Sequence, residues 1–141
     1  MAGDSHIGSE SYRIVFDGGS LGNPGRGYGS FDIRGPNNYT AAEKLNYDSR
    51  GNRVTNNEAE YLTLIAALER LDRDLGTNAK TSKVSVFGDS QLVISQLNGR
   101  WKVRKEELKP MHYQASVLLG RFDRFELTWH PRKESVKLLG H

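Results

Sequence analysis

The chain has 141 residues, enough for one domain with a buried core, and its 36% hydrophobic and 26% charged content excludes a disordered or fibrous protein. It contains no cysteine, which excludes disulfides, thiolate zinc sites and cysteine nucleophiles. No apolar run approaches the ~20 residues of a membrane span, and the N-terminus lacks the apolar segment of a secretory signal, so we expect a cytoplasmic protein that does not bind membranes.

The net charge of +3 is unevenly distributed along the chain. Residues 98–141 hold 10 Lys and Arg against 5 Asp and Glu, whereas residues 1–97 hold 10 against 12. A basic C-terminal third is typical of a protein that contacts a polyanion at one end, although ordinary charge scatter explains it equally well.

Three strands are predicted in the first part of the chain. Tyr12–Phe16 is apolar on both faces, which favours a central strand. The glycine-dense stretch Asp17–Gly29 that follows is predicted to be a loop, because glycine and proline break regular elements. Tyr28–Arg34 and Glu43–Asp48 predict the second and third strands. Turns are predicted at residues 35–38 and 48–52.

A long amphipathic helix is predicted at Asn56–Leu75. Thr55 or Asn56 can cap its N-terminus, and Gly76 ends it. Its apolar face has helical spacing and consists of Tyr61, Leu64, Ile65, Leu68, Leu71 and Leu75.

The rest of the chain alternates between strands and helices. Strands are predicted at Lys83–Phe87 and Arg124–Trp129. Ser90 caps a helix that runs to about Leu97, and a further helix runs from Glu106 to about Gly120, with its first turn delayed by Pro110. A polar tail follows the last strand. This order predicts an α/β fold with a mixed sheet, in which three antiparallel strands are followed by parallel additions.

Three carboxylates stand at the ends of predicted elements. Asp17 and Asp89 each follow a predicted buried strand, and Glu60 lies in the first turn of the long helix, beside its apolar face. Converging carboxylates repel one another, and a divalent cation relieves the repulsion; an all-oxygen set suits Mg²⁺ or Mn²⁺. The alternative is three separate roles, as a turn former, a helix-dipole acid and the neighbour of a cap.

Three further segments carry polar or basic groups. The glycine-rich stretch 18–25 is either a close-approach loop for a phosphate or a plain hairpin, and it lacks the lysine of a P-loop. Residues 55–57 cap a helix or bind a polar ligand. Residues 99–105 place Arg100, Trp101 and Lys102 in a basic segment suited to phosphate contact and stacking, or in a solvated connection.

Three motifs together resemble type 1 ribonuclease H: FDGGSLGNPGRGYGSF, TNNEAEYLTLIAAL and VFGDSQLVISQLNG, in this order and spacing. The similarity runs from about Tyr12 to Pro131 and is to the compact branch that lacks a long basic protrusion. It implies a five-stranded mixed sheet flanked by helices, in one domain over residues 11–141 that follows a disordered tail of residues 1–10. It also implies an endonuclease that cleaves the RNA strand of RNA–DNA hybrids, uses two metal ions and leaves 5′-phosphate and 3′-hydroxyl ends.

The resemblance also implies roles for individual residues. The catalytic metal ligands are Asp17, Glu60 and Asp89, because the family's acid stands three residues after the second asparagine of TNN and Glu58 does not. The substrate-binding positions are Gly19, Ser20, Asn23, Thr55, Asn56, Asn57 and Gln91, to which the basic segment adds Arg100, Trp101 and Lys102. The implied partner is an RNA–DNA hybrid, with no obligate protein partner and a monomeric chain.

The C-terminus departs from the family pattern. A fourth aspartate would fall near Leu139, but no aspartate follows Asp123, so the fourth metal ligand is unknown and the end of the domain is shortened or divergent. Glu134, His130 and His141 are candidate substitutes. A weaker second metal predicts activity that needs more metal and favours Mn²⁺.

Two alternative functions follow from this departure and from the glycine-rich loop. The first is a hybrid-binding module of the same fold with weak or no catalytic activity, because the fourth carboxylate is missing. The second is a phosphotransferase whose loop holds a nucleotide, although 141 residues are few for the usual two-lobed architecture.

Overall fold

The computed structural model describes residues 10–47 and 53–140. The predicted tail up to residue 9, the predicted turn at 48–52 and His141 lie outside the described residues. The strands are β1 (Ser11–Leu21), β2 (Arg26–Arg34), β3 (Thr40–Asn46), β4 (Lys83–Gly88) and β5 (Arg124–Trp129). The helices are α1 (Asn56–Leu75), α2 (Gln91–Leu97), α3 (Lys109–Leu119) and α4 (Arg132–Leu139), with 3₁₀ turns at Gly76–Thr81 and Glu106–Leu108.

The five strands form one sheet in the order β3-β2-β1-β4-β5. β1 pairs antiparallel with β2, and β2 with β3, while β4 runs parallel to both β1 and β5. This confirms the predicted mixed sheet. Its central strand is β1, in which Ile14, Val15 and Phe16 are all fully buried, as expected for a strand covered on both faces.

The prediction of a loop over Asp17–Gly29 is wrong. β1 continues to Leu21 and β2 begins at Arg26, so that only the turn between them is irregular. The glycines are part of the β1–β2 ladder, where Gly18 pairs with Gly29 and Gly19 with Tyr28. Glycine inside a strand here marks a close approach of neighbouring elements rather than a break.

β3 begins three residues earlier than predicted, at Thr40. The turn at residues 35–38 is as predicted and is tight: the Gly35 N–H donates to the Tyr39 carbonyl oxygen over 3.0 Å, so pairing resumes at once with Thr40 opposite Arg34. Asn37 and Asn38 both have positive φ, a conformation that asparagine tolerates well. Within the described residues the strand ends at Asn46.

α1 spans Asn56–Leu75 as predicted and packs on the sheet. Five of the six predicted apolar-face residues are buried, and Leu75 is partly buried. They join Ile14, Phe16, Phe31 and Val86 in one core, where burying each large side chain contributes about 1.5–3 kcal/mol. Within residues 10–47 and 53–140, no helix is both long enough and apolar enough to cross a membrane.

The C-terminal segment is helical, which corrects the predicted polar tail. α4 begins after Pro131 and packs against β1 and β2, with Ser135 fully buried. The other late elements follow the prediction: Ser90 caps α2 by accepting from the Val93 N–H, and α3 starts late, with Pro110 in its first turn. The C-terminus therefore lies next to the strand that carries Asp17.

Candidate functional site

Asp17, Glu60 and Asp89 come together at one edge of the sheet. β1 and β4 are parallel neighbours, with Phe16 opposite Gly88, so Asp17 and Asp89 lie together where the two strands end their pairing. One carboxylate oxygen from each of the three acids lies within 4.8 Å of the other two. The three carboxylates, which are separated widely in sequence, thus form a single cluster.

The N-terminal turn of α1 places Glu60 in this cluster and excludes Glu58. Thr55 is the N-cap: its hydroxyl accepts from the Glu58 N–H over 3.1 Å, and the Glu58 carboxylate accepts from the Thr55 N–H over 2.8 Å. This capping box engages Glu58 at the helix end. Glu60 lies two residues later, is only 6% exposed and points into the cluster.

Gly18 allows α1 to approach β1 closely. A Cβ atom at this position would lie 2.6 Å from the Ala59 carbonyl oxygen and 2.8 Å from the Glu60 nitrogen, both of which belong to the backbone of α1. Gly18 also makes a backbone hydrogen bond to Glu60. The position of Glu60 beside Asp17 therefore depends on the absence of a side chain at residue 18.

Gly18→Ala is expected to destabilise the fold by about 1–3 kcal/mol, because the added methyl group forces α1 away from β1. It should also weaken Mn²⁺ binding, since Glu60 moves with α1. Urea unfolding and calorimetric titration with Mn²⁺ measure the two effects. Gly120→Ala is the matched control, because its Cβ would meet only ordinary contacts of 3.4 and 3.5 Å. Equal effects of the two substitutions would contradict this account of Gly18.

Burial and like charge make the cluster costly without a cation. The Asp17 side chain is 2% exposed and that of Asp89 is 8% exposed. Burial raises the pKa of Glu60 well above its usual value, and repulsion from Asp17 and Asp89 raises it further. At neutral pH the cluster therefore favours either a proton on Glu60 or a bound cation.

The donor set fits a hard divalent cation. Glu60 Oε1 is buried and has no hydrogen-bond partner among the described residues, and such an atom requires an explanation. Three carboxylates that offer one oxygen each at this spacing are the ligands that Mg²⁺ or Mn²⁺ takes. The residues present thus suit such an ion, with Asp17, Glu60 and Asp89 as its ligands.

A polar network joins the β1–β2 turn to the start of α1. The Ser20 N–H donates to Asn56 Oδ1 over 2.8 Å, and the Asn56 N–H donates to Asn23 Oδ1 over 3.0 Å. The Ser20 hydroxyl donates to the Gly22 carbonyl oxygen. Both asparagine oxygens are engaged, whereas within the described chain no hydrogen bond is found for either amide nitrogen. The network therefore presents N–H donors beside the carboxylates.

The remaining predicted substrate positions lie on the same elements. Gly19 stands two residues after Asp17 on β1, Asn57 is partly exposed in the first turn of α1, and Gln91 is the exposed first residue of α2. Gln91 lies two residues after Asp89 in the chain.

Arg100, Trp101 and Lys102 lie on the connection that follows α2, and the first two are tied to its last turn. The Arg100 and Trp101 N–H groups both donate to the Ser95 carbonyl oxygen, over 2.9 and 3.2 Å. The three residues help to line a groove of about 450 Å³. The acids of the cluster are not among the residues lining this groove, so the basic segment forms a separate surface.

The structure also locates the candidates for the fourth ligand. His130 Nε2 lies 2.7 Å from the Ser135 hydroxyl, and its ring stacks on Phe87. Neither His130 nor Glu134 belongs to the group of metal-ligating side chains found among residues 10–47 and 53–140. Leu139 packs beside Ser30, which pairs with Asp17 across the β1–β2 ladder.

Sequence reasoning missed two residues near these surfaces. Arg132 Nη1 lies 3.4 Å from Asp17 Oδ1 and 3.4 Å from Asp89 Oδ2, a contact for which the only signal was a basic residue just after the last strand. Gln96 is buried, accepts from the Tyr61 hydroxyl over 2.6 Å and donates to the Lys102 carbonyl oxygen over 3.4 Å. A polar residue in the apolar pattern of α2 was its signal.

Comparison with known proteins gives consistent results. A family model described as "Reverse transcriptase-like" matches residues 40–137. The bifunctional protein Rv2228c of Mycobacterium tuberculosis is 38% identical over 124 residues, which cover 87% of this chain and 32% of that protein. Its N-terminal RNase H domain, solved as a fusion with maltose-binding protein, superposes with a TM-score of 0.79 at 36% identity, covering 92% of this chain and 88% of that one.

Two further similarities concern ribonucleases H. Ribonuclease HI of Halobacterium salinarum is 39% identical over 117 residues, which cover 83% of this chain and 55% of the relative. LC11-RNase H1, solved in complex with an RNA/DNA hybrid, superposes with a TM-score of 0.78 at 27% identity, covering 89% of each chain. The chain thus spans between about a third and about half of the curated relatives it matches.

Proposed function

Because this chain belongs to the type 1 ribonuclease H family, we propose that it hydrolyses the RNA strand of RNA–DNA hybrids with the help of divalent metal ions. The observation that carries the proposal is the buried cluster of Asp17, Glu60 and Asp89, in which Glu60 Oε1 lacks a partner among the described residues. Such a cluster destabilises a protein unless it binds a cation, so its presence points to a use.

Mg²⁺ or Mn²⁺, two ions per site, is the cofactor we propose, with Asp17, Glu60 and Asp89 as ligands. When bound, such ions lower the pKa of water and stabilise the charge on the phosphate and on the leaving oxygen, which gives 5′-phosphate and 3′-hydroxyl ends. The residues of the chain hold three negative charges in a fixed, nearly dry arrangement. This arrangement supplies ionised oxygen ligands in place and requires little reorganisation when a cation binds.

Recognition of the RNA strand is assigned to the network at the start of α1. The amide nitrogens of Asn23 and Asn56 are available as donors because the oxygens of the two side chains accept backbone hydrogen bonds. A 2′-hydroxyl can accept such a bond, and it distinguishes RNA from DNA. Gly19, Ser20 and Gln91 lie beside this network on β1 and α2.

Phosphate contact is assigned to the basic segment after α2. Replacing Arg100, Lys102 and Lys105 together with Ala should weaken hybrid binding and reduce the salt dependence of log K by roughly two to three units of slope, because each lost phosphate contact releases about one counterion fewer. Fluorescence anisotropy with a labelled hybrid at several salt concentrations, in the absence of metal, measures the slope.

The matched control removes the same charge at the other edge of the sheet. Arg13, Lys80 and Arg124 are exposed and lie near the starts of β1, β4 and β5, at the edge away from Asp17 and Asp89. Their triple Ala variant should keep the native slope. A similar loss of slope in both triple variants would show that net charge, and not this segment, determines binding.

A second candidate function is a hybrid-binding module of the same fold without catalytic activity. The observation that favours it is the family position of the fourth aspartate, which Leu139 occupies here beside Ser30. The experiment that separates the two functions uses a hybrid labelled on either strand, incubated with Mg²⁺, Mn²⁺ or EDTA. Metal-dependent cleavage of the RNA strand alone supports the enzyme, whereas binding without cleavage in either metal supports the module.

A further inference from the structure

Arg132, the first residue of α4, extends its guanidinium group to the carboxylate cluster. Its Nη1 atom lies 3.4 Å from Asp17 Oδ1 and 3.4 Å from Asp89 Oδ2. The two carboxylates are almost fully buried, whereas the Arg132 side chain is 62% exposed. One mobile positive charge thus bridges two of the three acids that we propose as metal ligands.

The position of Arg132 on its helix is unfavourable apart from this contact. A cation in the first turn of a helix opposes the helix dipole, and α4 has no side-chain cap at Pro131. The carboxylate of Asp17, followed by that of Asp89, raises the pKa of Arg132 above its usual range, so the guanidinium stays charged. Attraction to the cluster is therefore the interaction that holds this cation at the helix N-terminus.

The guanidinium neutralises the cluster only in part. It contacts Asp17 and Asp89, while Glu60 Oε1 has no hydrogen-bond partner among the described residues. A divalent ion carries twice the charge, and all three carboxylates offer it an oxygen at suitable spacing. The guanidinium and a divalent ion cannot both occupy the short space between Asp17 and Asp89.

We infer that Arg132 is the resident counter-ion of the cluster, that a divalent metal ion must displace it in order to bind, and that Arg132 thereby sets the metal concentration this chain requires. The inference rests on the proposed metal site. By thermodynamic linkage, a charge that stabilises the metal-free cluster lowers its metal affinity by the same free energy. Release of Arg132 also removes one contact between α4 and β1.

The test compares Arg132→Gln with the native chain by calorimetric titration with Mn²⁺. The variant should bind Mn²⁺ about fivefold more tightly, the effect of removing an ion pair at the upper end of the exposed range. Arg121→Gln is the matched control, because Arg121 is 56% exposed and pairs with Asp72 over 2.9 Å, away from the cluster. Its Mn²⁺ affinity should equal that of the native chain.

Thermal unfolding gives a second readout that does not depend on activity. Arg132→Gln should lower the Tm of the protein in EDTA and leave it unchanged at saturating Mn²⁺, where the native Arg132 is already displaced. Arg132→Met, which keeps most of the apolar stem, repeats both measurements and shows whether loss of charge is the cause.

The outcomes separate the inference from the proposed function. Native-like Mn²⁺ affinity in both Arg132 variants would overturn the inference and leave the metal site intact. Weaker Mn²⁺ binding in the variants would also overturn it, because Arg132 would then support the metal rather than compete with it. Absence of Mn²⁺ binding by the native chain would overturn the metal site and the inference together.

Discussion

Asp89→Asn is expected to lower the rate of RNA-strand cleavage by about three orders of magnitude or more while the protein stays folded. Asp89 supplies one of three oxygens that lie within 4.8 Å of one another, and an amide in its place is uncharged. Hybrid cleavage under single-turnover conditions in Mg²⁺ and Mn²⁺ measures the loss. Asp123→Asn, at an acid that is 54% exposed outside the cluster, is the matched control and should cleave like the native chain.

The stability of Asp89→Asn distinguishes loss of metal binding from loss of structure. The substitution removes a charge that repels Glu60, and it also weakens the contact with the exposed Arg132. These effects oppose each other, so the free energy of unfolding in EDTA should be unchanged or improved by up to about 1 kcal/mol. A folded Asp89→Asn variant with near-native cleavage would remove Asp89 from the site.

The pH dependence of stability should depend on Glu60. Its folded-state pKa is raised by burial and then by Asp17 and Asp89, so between the unfolded pKa near 4.5 and the higher folded value the native state binds the extra proton. Stability in EDTA therefore falls as pH rises through this window, by at most about 1.4 kcal/mol per pH unit from this group. Below pH 4.5 both states are protonated and the effect vanishes.

Glu60→Gln removes this penalty, since a neutral amide costs less to bury than a carboxylate. Relative to the native chain, the variant should gain stability in EDTA as pH rises from 4.5 to 8, and saturating Mn²⁺ should reverse the order, because only the native chain keeps all three ligands. Urea unfolding at several pH values measures the difference. Glu69→Gln, at an exposed position on the same helix, is the control. A difference that does not change with pH would contradict the account.

The strands, the long helix and the carboxylates could be predicted because they depend on local patterns. The apolar spacing of α1 and its capping box determine where it starts, and the start determines that Glu60, and not Glu58, faces the sheet. Asp17 and Asp89 follow apolar strands that the alternation with helices made parallel neighbours. Their meeting at one sheet edge follows from that topology.

The errors arose where a residue's role depends on contacts distant in sequence. The glycines after Asp17 have the composition of a loop, but Gly18 is needed because α1 lies against it. Arg132 and Gln96 were missed for the same reason. The charge of Arg132 matters only because α4 packs on β1, and the amide of Gln96 matters only because Tyr61 and Lys102 approach it.

Crystals of the native chain soaked in Mn²⁺ and measured for anomalous scattering test the central claim most directly. The account predicts a peak bound by Asp17, Glu60 and Asp89 at about 2.0–2.3 Å from their oxygens, with Arg132 moved away from Asp17. The same soak of Asp89→Asn should show a weaker peak or none. A Mn²⁺ peak outside the cluster, with Arg132 still bridging Asp17 and Asp89, would contradict it.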